Sequence, residues 1–112
     1  WADTALIHLT DWEPLNRTVP SKTYELMSLG VHTTAVVQGE AARIVENLGA
    51  GIVVPPENPE ALAEAWTTLI DDRSKLTVSP SGREWVATQR DEVVPEAFLG
   101  IVTTVTRQQT KA

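Results

Sequence analysis

Residues 18–30 read Thr-Val-Pro-Ser-Lys-Thr-Tyr-Glu-Leu-Met-Ser-Leu-Gly. They follow an apolar run, Thr4 to Leu9, with the length and composition of a buried strand. Pro20 fixes φ in what reads as the first turn of a helix, Pro20–Leu29, where a missing N–H costs nothing. Thr18 and Ser21 can cap or line that end, and Gly30 is a stop signal just past the last turn. A strand, a loop and a helix start directed back at the strand's end make an anion site. The free N–H groups and the helix dipole both favour negative charge there.

The charges sharpen this reading. The 112-residue chain carries a formal net charge of −6, yet its only cations before Arg43 are Arg17 and Lys22, which flank this helix start. Glu25 shares a helical face with Ser21 and Lys22. Helical side chains lean toward the N-terminus, so its carboxylate can reach toward whatever the first amides hold. A carboxylate accepts two hydrogen bonds, which suits a pair of ribose hydroxyls about one turn (~5.4 Å) from a phosphate. An ordinary surface Lys22–Glu25 pair on an amphipathic helix would use the same residues.

Outward from this segment, strands and helices alternate. His32 to Val37 is β-rich. Gly39 and Glu40 open a helix whose Ala41, Ile44, Val45 and Leu48 recur at the spacing of one buried face. Gly49-Ala50-Gly51 closes it, and Ile52 to Val54 is a third strand stopped by Pro55-Pro56. Asn58-Pro59-Glu60 combines a cap, an N1 proline and a carboxylate at the positive end of the dipole. Leu62, Trp66, Leu69 and Ile70 then predict a buried stripe, ended by Asp71-Asp72. Ser79-Pro80 starts a short helix carrying Trp85 and Val86. Val94, Phe98, Ile101, Val102 and Val105 mark a final amphipathic helix, with Gln108 to Ala112 expected to fray. No internal repeat or low-complexity tract interrupts the pattern.

The expected fold is therefore α/β: a Rossmann-like three-layer α/β/α arrangement with parallel strands and right-handed crossovers. Three strands make a thin sheet, and Trp1 leads straight into Ala2-Asp3 without an initiator Met. Residues 1–112 are accordingly expected to be the later half of a longer doubly wound domain. Composition is ordinary for a globular chain, with 42% hydrophobic and 21% charged residues. There is no cysteine, hence no disulfide framework and no thiolate metal site. An acidic chain without a basic stripe argues against nucleic acid as a partner. His8 and His32 lack metal-ligand spacing and read as structural or strand-end histidines.

Five segments share an order with one family. Ala-Asp-Thr-Ala-Leu-Ile-His-Leu at 2–9, Val-Pro-Ser-Lys-x-Tyr-Glu-x-Met-x-x-Gly at 19–30, and Gly-Glu-Ala-Ala at 39–42 are three of them. Gly-Ala-Gly-Ile-Val-Val-Pro-Pro at 49–56 and Asn-Pro-Glu-Ala-Leu-Ala-Glu-Ala at 58–65 complete the series. Together they resemble the C-terminal donor-binding domain of GT-B glycosyltransferases, most closely the family 4 retaining enzymes of bacterial polysaccharide synthesis. The resemblance covers nearly the whole chain and aligns with the later part of that domain.

It implies transfer of a sugar from a nucleoside diphosphate sugar, with retention, to a glycan or lipid-linked acceptor. Glu25 matches the glutamate that typically holds the nucleotide ribose, and the backbone from Pro20 to Lys22 matches the helix start that receives the diphosphate. With Arg17, Thr18 and Val19 these form the expected substrate-binding set. Many members carry a second glutamate where this chain has Arg17. No catalytic residue, metal or cofactor is assigned. The acceptor domain would lie in a missing N-terminal part. The expected location is cytoplasmic, or peripheral at the inner membrane face through that part, and these residues alone are expected to be inactive.

Neighbouring residues have plainer readings. Asp11 and Glu13 read as solvated loop carboxylates, Glu40 as a dipole-favoured one, and Trp66 and Trp85 as core. Trp12 could stack on a base or sugar, and Tyr24 could line the pocket or pack inward. Two other functions fit the residues: a sugar-nucleotide epimerase or phosphorylase of the same architecture, and a non-catalytic binding module.

Overall fold

The three β-rich runs become strands β1 (Ala5–His8), β2 (Thr33–Val36) and β3 (Gly51–Val54) in a computed structural model that describes residues 2–110. They form one parallel sheet in the order β1-β2-β3. The register places Ile7 beside Ala35 and Ala35 beside Val53, with Leu6, Thr34 and Ile52 forming the next row. Alternate rows face opposite sides of the sheet. Between the strands lie α1 (Ser21–Leu29) and α2 (Glu40–Asn47). After β3 come α3 (Pro59–Asp71), α4 (Ser81–Thr88), a π turn (Gln89–Val93) and α5 (Val94–Thr110). Short 3-10 turns occupy Glu13–Arg17 and Arg73–Leu76. Lys111 and Ala112, the end of the stretch expected to fray, lie outside the described residues.

One face of the sheet carries the core. Ile7 and Ala35 cluster with Leu26 and Met27 of α1 and with Ala41 and Val45 of α2. β2, flanked on both sides, is buried throughout. On the opposite face α3 lies over Thr34, whose Oγ1 accepts from Trp66 Nε1 at 3.1 Å. The stop at Gly30 is as expected: its φ is +69°, and the N–H groups of Gly30 and Val31 reach the carbonyls of Met27 and Leu26. Asn58 caps α3 through Oδ1, which accepts from Ala61 N–H at 3.0 Å.

α4 packs on α1. Tyr24 and Trp85 stack, and Arg83 Nε donates to the Ser28 carbonyl at 2.9 Å. Tyr24 is thus turned toward its own domain. At the amino end of the sheet His32 is 3% exposed, and its Nδ1 hydrogen-bonds Thr4 Oγ1 at 2.7 Å. Burial holds its imidazole below the ordinary histidine range. His32 is a strand-end histidine with a structural partner.

Two expectations are corrected, the burial of the α3 stripe and the place of Pro20, and the stripe of α5 is found uncovered. The α3 stripe is not wholly buried: Leu69 is, but Trp66 is 37% and Ile70 73% exposed. Trp66 still reaches the sheet through its Nε1–H, and Ile70, about 100° round the helix from the buried Leu69, is exposed. α5 is a helix with the expected stripe, yet Phe98 and Ile101 are each 65% exposed. The periodicity encoded the helix; it did not supply a surface to cover it. Finally, Pro20 stands one residue outside α1, in the N-cap place, with φ −59° and ψ 137°.

Candidate functional site

The loops that follow the three strands meet at the carboxyl edge of the sheet. Thr10 Oγ1, after β1, donates to Glu57 Oε1, after β3, at 3.2 Å. Gln38 Nε2, after β2, donates to Asp11 Oδ1 at 2.7 Å. The 3-10 turn at Glu13–Arg17 packs directly on the start of α2: a side chain on Gly39 would collide with the Asn16 backbone. These ties fix the floor from which the chain rises through Thr18 and Val19 into α1.

The helix start is bare. No side chain caps it. Thr18, expected as a cap, instead donates its hydroxyl to the Pro14 carbonyl at 3.5 Å, a long contact within its own turn. Ser21 is the first helical residue and its side chain is exposed. Pro20 carries no N–H, so the first donors at this end belong to Ser21 and Lys22. An uncapped helix start leaves its N–H groups and the positive end of the dipole facing solvent or a ligand.

Around it stand the charges the sequence singled out. Arg17 is extended and exposed, 3.9 Å from Glu13 across the 3-10 turn, a weak pairing at such exposure. Glu25 is exposed one turn along α1. Lys22 and Glu25 do not form an ion pair within 4.0 Å, so the plain surface-pair alternative is not the arrangement adopted. Lys22 Nζ instead donates to the Leu6 carbonyl of β1 at 3.2 Å. Arg17, Thr18, Val19, Pro20, Ser21 and Lys22 thus line one continuous segment into α1. Trp12 is 60% exposed in the loop before it.

The sequence reading missed the polar ties Thr10–Glu57 and Asp11–Gln38, since pairings across loops leave no local pattern. It also missed the left-handed Glu57, φ +58°, the only non-glycine residue with positive φ among those described. The turn-forming run Pro55-Pro56-Glu57-Asn58-Pro59 was the available signal. Beside it, on the α3 face, Leu6, His8, Val36, Glu57 and Leu62 line an apolar hollow of about 200 Å³. Among the described residues, no group of three His, Cys, Asp or Glu side chains could hold a metal ion, and no helix is long and apolar enough to cross a membrane.

Comparison with protein-family models, curated proteins and solved structures gave no match to this chain.

Proposed function

We propose that the chain is the nucleotide-binding part of a retaining glycosyltransferase with a three-layer GT-B donor domain. The observation that carries the reading is the bare start of α1 at the carboxyl edge of a parallel sheet, flanked by Arg17 and Lys22 in an acidic chain. Ligands of doubly wound sheets bind at that edge. The ordered motif resemblance supports the same assignment.

In this reading the Ser21 and Lys22 amides and the α1 dipole receive the diphosphate, and Arg17 adds positive charge. Glu25 accepts hydrogen bonds from the ribose hydroxyls. As the bond between the anomeric carbon and the diphosphate oxygen breaks, its electron pair leaves with the diphosphate. The acceptor hydroxyl oxygen bonds to the same carbon on the same face, and its proton passes to the departing diphosphate oxygen. The helix start stabilises the departing charge, and each preorganised donor of this kind contributes about 3 kcal/mol. The nucleoside diphosphate sugar is substrate; the acceptor, a glycan or lipid-linked sugar, sits in a further domain of the same polypeptide.

The test is calorimetric titration of nucleoside diphosphates into the polypeptide containing this chain and into its Glu25→Ala variant. Loss of two hydrogen bonds to a carboxylate should weaken binding by roughly tenfold to a hundredfold. Unchanged affinity would remove Glu25 from the site.

A further inference from the structure

Trp12 is placed as no other described tryptophan is. Trp66 donates its Nε1–H to Thr34 Oγ1, and Trp85 stacks on Tyr24. The indole of Trp12 joins no core cluster, ring pair or side-chain hydrogen bond among the described residues, and the residue is 60% exposed. Its backbone is nonetheless fixed. Trp12 N–H donates to the Thr10 carbonyl and Leu15 N–H to the Trp12 carbonyl, both at 2.9 Å. The chain on either side is tied as well: Asp11 accepts from Gln38, and the turn that Trp12 opens rests on Gly39 through Asn16. A large apolar ring held in place yet left in water is preorganised to stack on a flat apolar face.

Its place on the carboxyl edge says which face. In the donor reading, on which this inference rests, Glu25 takes the ribose one turn into α1, and the Ser21 and Lys22 amides take the diphosphate. The group beyond the diphosphate then lies on the side away from Glu25, where the chain arrives from the 3-10 turn. That turn runs about 10 Å from Arg17 back to Trp12, at about 2 Å per residue. A hexose joined to the diphosphate through its anomeric carbon presents there a side made mostly of C–H bonds. We propose that Trp12 is the platform for the sugar of the donor: its indole stacks on the C–H face of a neutral hexose and so favours the sugar nucleotide over the bare nucleoside diphosphate.

Calorimetric titration of the polypeptide containing this chain tests this. The probes are uridine, guanosine and adenosine diphosphate, each alone and as its glucose, galactose and mannose conjugates. For the conjugate that binds most tightly, Trp12→Ala should weaken affinity about tenfold, while the matching bare diphosphate stays within about twofold. Trp12→Phe keeps a ring and should recover most of the loss. Circular dichroism should show the wild-type fold in both variants, since the indole is exposed. Unchanged affinity of Trp12→Ala for the conjugate would overturn the proposal. So would equal weakening of conjugate and bare diphosphate, since the ring would then face the base or merely hold the loop. A polypeptide that binds no bare diphosphate refutes the donor reading itself, and the two failures are thereby told apart.

Discussion

The Asn16 carbonyl oxygen occupies the space in which a side chain on Gly39 would begin: an ideal Cβ there would stand 2.2 Å away. Gly39 also holds φ +73° and ψ −136°, a conformation that L side chains rarely adopt. Clash and strain coincide at the point where the loop after β1 rests on the start of α2. Gly39→Ala should therefore destabilise the fold by about 3 kcal/mol, read as a lower urea midpoint. Gly100→Ala is the control, since nothing lies within 4 Å of its Cβ position; in a helix it should be neutral or slightly stabilising.

The stacked rings of Tyr24 and Trp85, with centroids 5.9 Å apart at 21°, join α1 to α4. A double-mutant cycle to leucine at both positions should return a coupling energy of about 1 kcal/mol. Additive single-variant effects in equilibrium unfolding would mean that the rings pack without acting on each other.

His32 makes stability depend on pH. Its imidazole is held below the ordinary value of 6.5 because burial disfavours the charged form. The unfolded chain therefore binds the proton more readily than the folded one. Stability is full above pH 6.5 and falls as the pH drops below it, toward the depressed folded value. Unfolding midpoints should fall as the pH drops below 6.5, and His32→Gln should flatten that fall.

α5 lacks the packing that gives most protein helices their stability. Phe98, Leu99 and Ile101 are all more than 60% exposed. Its amides should exchange with deuterium far faster than those of β2, whose four residues are all buried. Peptide-level exchange mass spectrometry distinguishes the two directly. Equal protection would mean that α5 is covered in solution.

Most of the architecture was legible because it is written in local patterns. Asn58-Pro59 announces the start of α3, Gly30 the end of α1, and the spacing of Ala41 and Val45 the inner face of α2. Burial was legible only where a partner surface exists. Trp66 and Phe98 sit on stripes as regular as that of α2, but Trp66 is only partly covered where it meets Thr34, and Phe98 lies on a helix exposed from Val94 to Gln109. At the candidate site, the segment from Arg17 to Lys22 follows from chain continuity. The destination of the Lys22 ammonium does not: the Leu6 carbonyl is selected by strand order, which no window around Lys22 contains.

The π turn at Gln89–Val93 acts as a phase shifter. An α-helix advances about 100° per residue, and a π turn takes in roughly one residue more than an α turn. That added residue turns every side chain of α5 by about 100° relative to an unbroken continuation of α4. Delete one residue there and the rod survives with its greasy side swung by about 100°. The direction in which α5 presents its apolar residues is thus set by a residue count just before it and not by the residues themselves.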